Sequence, residues 1–220
     1  MDESKWERYA ALGGIWFVGL GVVSALLPGA PPSLDDSNAK IAQYFGDHSS
    51  RIAFATFLVG LGIIGLLWWL GSLWRVMVGA EGGRPRLAVV AVASLAIGAT
   101  LALAAGSVLS TTALQHDEIG SGAKVFYALQ VVLFAAAGFA IVSHIAAVTA
   151  LSYRTRLFAP WINVIGWIAA LLFLISTLAT ASDANFYNVL GLIAFVAWCV
   201  WIVAVSLSMW QRVAEPVAAT

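Results

Sequence analysis

This chain is poor in charge. Lys and Arg number 11, Asp and Glu number 11, and together they make up 10% of 220 residues. An ordinary soluble domain carries roughly a quarter of its residues charged, so that class is excluded. The charges cancel and no basic cluster is dense enough to suggest nucleic acid as a partner. Cysteine occurs once, at Cys199. Internal disulfides, CxxC redox chemistry and thiolate metal sites are thereby excluded, and Cys199 is expected to pack as a small hydrophobe. No cofactor is expected.

The missing charges are missing in blocks. Residues 9–34, 52–74, 87–116, 125–153, 157–182 and 184–211 contain no Asp, Glu, Lys or Arg. A hydrocarbon slab of about 30 Å takes about 20 apolar residues of helix to cross. The pattern predicts an all-α polytopic membrane protein, a single transmembrane domain over residues 1–220. Its six spans are expected at about 9–28, 52–74, 87–110, 126–151, 158–179 and 187–210.

Proline is also missing where it would matter: Pro28, Pro85 and Pro160 fall at span ends or in loops. Secondary transporters bind at broken helices and couple ions through buried acids. With neither device present, ion-coupled transport is not expected. The leader before the first span is acidic, and Pro28, Pro31 and Pro32 follow that span. A cleaved signal peptide would have a basic leader and a small-residue cleavage site, so the first helix is expected to be retained.

The charges that are present sort by side. Lys5, Arg8, Arg75, Arg84, Arg86, Arg154, Arg156 and Arg212 face three on the other side, Lys40, Arg51 and Lys124. The positive-inside rule then puts both termini in the cytoplasm and predicts three hairpins opening outward. Each even span ends in a serine, a large side chain and a cation: Ser72-Leu73-Trp74-Arg75, Ser152-Tyr153-Arg154 and Ser208-Met209-Trp210-Gln211-Arg212. Such ends anchor at the headgroups. In the long first outer loop, Asp35-Asp36-Ser37 reads as an N-cap cluster and Gly46 as a stop. Ile41, Tyr44 and Phe45 share a face between them, predicting a short amphipathic helix.

Small residues mark where helices touch in lipid. Span three offers Ser94, Gly98, Ala102 and Gly106, and span four offers Ala136, Ala140, Ser143 and Ala147. Gly14, Gly21, Gly60, Gly62 and Gly65 do the same on spans one and two, with Trp16, Trp68 and Trp69 among the rings able to fill the spaces opposite.

Polar candidates inside the spans are few. His144 lies well inside span four, with Gln130 on nearly the same face. An intramembrane imidazole is either functional or hydrogen-bonded to a serine or backbone carbonyl. Haem ligation by two histidines is excluded, because no other span has one. Ser107 sits too far out to form a dyad with His144. Trp167, Trp198 and Trp201, with Phe195, are expected to crowd spans five and six around a hydrophobic-ligand pocket, their N–H groups bonding to Ser176, Thr177 or a free carbonyl. Outside the membrane, Asp47-His48 and His116-Asp117-Glu118 offer metal-ligating groups without helical ligand spacing.

The Gly-rich first span, the Tyr44-Phe45-Gly46-Asp47-His48 segment and Trp68-Trp69-Leu70-Gly71-Ser72-Leu73-Trp74-Arg75 give the chain a likeness to a known group. It resembles the small six-span bacterial integral membrane proteins of the domain-of-unknown-function kind. The resemblance implies a fold and a bacterial inner-membrane location, and transfers no catalytic residue. The leading expectation is a non-catalytic membrane protein, either a partner subunit or a module binding lipid or another hydrophobic ligand. A small permease or channel-like protein for an uncharged or lipophilic substrate is the runner-up. A membrane enzyme using the outer His, Asp and Glu groups is third. Membrane lipids, a membrane-protein partner or a second copy of the chain are the expected partners.

Overall fold

The computed structural model describes residue 6, residues 9–182 and residues 185–214, with side chains through residue 212. Lys5 and Arg8, which count toward the charge asymmetry, lie outside the described residues, as does the rest of the leader apart from Trp6. Among the described residues the regular structure is all helical, with no strand. The six long helices are α1 Gly13–Leu26, α2 Asn38–Ala80, α3 Leu87–Leu114, α4 Ala123–Thr155, α5 Pro160–Ser176 and α6 Asn185–Ala214. A turn from Tyr9 extends the first apolar stretch to Tyr9–Leu26, and all six are long and apolar enough to cross a membrane.

Each helix packs on the next in the chain, and α6 closes back on α1 to complete a ring. The centre of that ring is filled: α2 also reaches α4 and α6 across it. Trp69, Leu73, Ile145, Val148, Trp201 and Ile202 are buried in one apolar core there.

The segment after α1 differs from its expectation. Its amphipathic segment is helical and begins at the Ser37 cap, whose Oγ accepts from Lys40 N–H. Gly46 does not stop it. The helix runs on unbroken into the second span, 43 residues in all, or about 65 Å. One buried line explains the continuity: Ile41, Phe45, Ile52, Ala55, Leu58 and Gly62 follow each other at helical spacing through the glycine. A helix-interior glycine costs only about 1 kcal/mol, which this packing outweighs.

The far end of α2 has a small core of its own, in which Ile41, Phe45 and Ile52 pack with Ala113, Ala123 and Tyr127. The segment after α1 is strapped over it by side chains. Tyr44 and Tyr127 donate to the Pro28 and Pro32 carbonyls, and Lys124 donates to that of Asp36. Asp36 also pairs with Lys40 at 2.8 Å. The Lys40 hydrogen bond, then the Ser33 N–H, hold the Asp36 carboxyl below its ordinary range.

At the opposite end, Glu81 caps α3. Its carboxylate accepts from the backbone N–H groups of Arg86, Leu87 and Ala88, which a helix N-terminus otherwise leaves unpaired. Gly82 and Gly83, at φ of 65° and 82°, supply the turn that brings Glu81 back. Desolvation pushes the Glu81 carboxyl up, but the three N–H donors and the Arg154 charge outweigh it and leave it below its ordinary range.

The small-residue ladder of α3 serves two neighbours. A Cβ on Gly98 would meet Ile141 and Ala140 of α4 at 3.4 and 3.6 Å, whereas one on Gly106 would meet Thr56 of α2 at 3.2 Å. The ladder follows the twist of the bundle instead of matching α4 rung for rung. Ser143, expected on the α4 contact face, is exposed and donates to its own Phe139 carbonyl.

Candidate functional site

His144 of α4 is fully buried, with α2, α3 and α6 each placing a group against its ring. Its Nδ1 lies 2.9 Å from the Ala91 carbonyl oxygen of α3. A carbonyl only accepts, so Nδ1 carries the hydrogen, and the neutral ring is left with a bare lone pair on Nε2. Trp69 of α2 and Trp201 of α6 flank the imidazole at centroid distances of 6.1 and 5.8 Å. The two indoles meet each other edge to face at 6.5 Å.

The remaining two helices approach through glycines. A Cβ on Gly14 of α1 would stand 2.5 Å from Ser206 Oγ and 2.8 Å from Trp69 Cδ1. One on Gly166 of α5 would stand 2.6 Å from Thr149 Oγ1 and 2.7 Å from Trp201 Nε1. Both positions require glycine because bulky polar side chains already occupy the space.

His144 therefore has the backbone-carbonyl partner that an intramembrane imidazole can take, but on one nitrogen. Its Nε2 has no hydrogen-bond partner, and the same holds for Trp69 Nε1, Thr149 Oγ1, Ser206 Oγ, Trp198 Nε1 and Gln130 Oε1. Each unpaired buried group costs about 1–3 kcal/mol, set against a total folding stability of about 5–15 kcal/mol.

The other sequence candidates divide. Trp201 and Trp198 are buried, and Phe17, Phe173 and Phe195 crowd Trp198 at 5.5 to 6.1 Å. Trp167 is 48% exposed on the outside of α5 and does not join them. Gln130 is buried toward the far end of α4, more than three helical turns from His144. Ser176 and Thr177 donate to the carbonyls of Phe173 and Leu174, and Trp198 Nε1 reaches neither hydroxyl as an acceptor. Trp69, Thr149 and Ser206 are central to the site, yet as site residues they went unread in the sequence.

His48 and His116 each face a backbone carbonyl close by in the chain. His48 Nδ1 faces the Tyr44 carbonyl at 3.0 Å and stacks on the Tyr44 ring at 4.7 Å. His116 Nδ1 faces the Ala113 carbonyl at 2.9 Å, and its ring packs against Gly46. Asp117 lies 3.3 Å from His116 Nε2, and Asp47 and Glu118 are exposed. Among the described residues no three His, Cys, Asp or Glu side chains gather in a way that could hold a metal.

Two open, apolar grooves lie on the outside of α1. One, about 350 Å³, is bounded by Trp6, Tyr9, Gly13, Trp16, Gly65 and Trp68. The other, about 330 Å³, runs between α1 and α6 over Val18, Val22, Phe195, Cys199, Val200 and Val203. No family model, curated protein or solved structure matches the chain.

Proposed function

We propose that this is a non-catalytic integral membrane protein that works through its lipid-facing surface, binding an acyl chain or a comparably hydrophobic ligand along α1. The observation that carries this reading is the contrast between a filled ring and the two grooves outside it. Trp69, His144, Ile145 and Trp201 close the centre. The α1–α6 groove is walled entirely by apolar side chains. In a membrane the medium around that wall is acyl chain, so a lipid tail is its natural occupant.

In the same reading the helices form three hairpins opening away from the cytoplasm, in a bacterial inner membrane, with both termini cytoplasmic. The eight-to-three distribution of Lys and Arg supports that orientation. A role as partner subunit would use the same outer surface. The permease reading draws no support from the filled centre, and the enzyme reading none from the dispersed outer His, Asp and Glu groups.

The test is lipid retention in mild detergent. Wild-type protein is expected to co-purify with lipid, and Val22→Trp and Val203→Trp, which fill the α1–α6 groove, are expected to reduce it several-fold without loss of thermal stability. Retention unchanged in stable groove-filled variants would refute the assignment.

A further inference from the structure

We infer that Arg84 and Arg86, before α3, and Arg154 and Arg156, at the end of α4, form one surface that binds the headgroup of an anionic phospholipid. Helix register puts the two pairs side by side. α3 and α4 run antiparallel, with the Ala91 carbonyl on His144 and Gly98 against Ala140 and Ile141. Followed to its end, that register sets the start of α3 at Leu87 beside the last two turns of α4, which closes at Thr155. Glu81 marks the junction. Its carboxylate takes the backbone N–H groups of Arg86, Leu87 and Ala88, and the Arg154 charge reaches the same carboxylate from α4.

The positive charge at this end is not cancelled. Among the described residues Glu81 is the only acid there, and both its oxygens are committed to the α3 cap. Asp35, Asp36, Asp47, Asp117 and Glu118 all belong to the opposite end of the bundle. Arg84, Arg86, Arg154 and Arg156 are exposed, and none forms an ion pair with a described carboxylate. Arg212 differs: it donates to the Leu157 carbonyl and lies over the Phe158 ring at 5.9 Å.

Charge complementarity and depth together select the partner. A guanidinium presents a planar fork of N–H donors that matches a phosphate. The four cations stand where the apolar spans end, with Val89 and Val90 exposed just beyond Arg86 and Tyr153 exposed just before Arg154. A phosphate held there lies at headgroup depth, with its acyl chains beside the exposed start of α3. A zwitterionic headgroup carries its own ammonium and offsets the attraction, so the surface selects lipids of net negative charge. Neither groove on α1 is bordered by α3 or α4. The inference is therefore independent of the groove proposal.

The experiment titrates the purified full chain in detergent with phosphatidylglycerol or phosphatidylcholine of identical acyl chains, counting bound lipid by native mass spectrometry. Phosphatidylglycerol is expected to bind at least about tenfold tighter, since each cation near an anionic surface contributes about fivefold. Arg84→Gln with Arg86→Gln should lose most of that preference at an unchanged melting temperature, and so should Arg154→Gln with Arg156→Gln. Arg51→Gln, at the opposite end, should keep it. Val203→Trp should lower retention of both lipids and leave their ratio alone, so the groove proposal and this one fail separately. Equal binding of the two lipids by the wild type would overturn the inference, even if a paired variant failed to fold. A preference retained in both folded pairs, or lost as fully in Arg51→Gln, would also overturn it. Displacement of phosphatidylglycerol by equimolar inorganic phosphate would overturn the assignment to lipid.

Discussion

Gly13 and Gly65 bring α1 and α2 together backbone to backbone: a Cβ on Gly13 would stand 2.3 Å from the Gly65 carbonyl oxygen. Trp16 lies over the crossing and donates its indole N–H to the Leu61 carbonyl at 3.2 Å. Farther along, Ser24 donates to the Ala55 carbonyl. Gly13→Ala should therefore lower stability by about 1–3 kcal/mol through overpacking. Gly60→Ala, where a Cβ meets nothing within 4 Å, should be neutral or mildly stabilising. Thermal unfolding of both variants in detergent checks the contrast.

Glu81 predicts a pH dependence. Its folded-state carboxyl is held below the ordinary value of 4.5, so its contribution is present above that pH and is lost as pH falls through the folded value. Glu81→Gln should be less stable at neutral pH, by about 1 kcal/mol as for other lost helix caps. Melting curves at neutral pH and below pH 4.5 should show the gap between wild type and variant closing on acidification.

The core at the N-terminal end of α2 should be separable from the centre. Phe45 is fully buried there, and Phe45→Ala should cost about 3–5 kcal/mol locally. Hydrogen exchange should accelerate over residues 38–51 while α4 around His144 keeps its protection. Tyr127→Phe, losing the bond to the Pro32 carbonyl, should have a smaller effect of about 1 kcal/mol.

The proposed orientation is tested by labelling single cysteines in intact cells after Cys199 is replaced by serine. Ser50 is exposed, whereas Ser49 donates to the Ala113 carbonyl at 2.7 Å, so Ser50→Cys is the better probe. An impermeant thiol reagent should modify Ser50→Cys and spare Gly82→Cys; the opposite pattern would invert the topology.

The spans were legible because charge-free runs of 23 residues or more have few other readings. The inward position of His144 was also legible from the small residues beside it. Which indole would join it was not. Trp68 and Trp69 are neighbours in an apolar run, yet one is 53% exposed and the other fully buried. A helix apolar on every side has no polar face to fix its rotation. The same ambiguity concealed the outward position of Trp167. Gly46 reads as a stop by residue type, whereas the buried line of Ile41, Phe45, Ile52 and Ala55 that carries the helix through it is set by packing.

With the interior closed, the proposed route for a hydrophobic ligand is along the outside of α1. Photo-crosslinking with lipids carrying a diazirine in the acyl chain, mapped by mass spectrometry, tests it most directly. Adducts are expected to concentrate on Val18, Val22, Val200 and Val203 and to be lost in Val203→Trp. Adducts on Ile145, Trp201 or other core residues, or labelling spread evenly over every outward face, would contradict it.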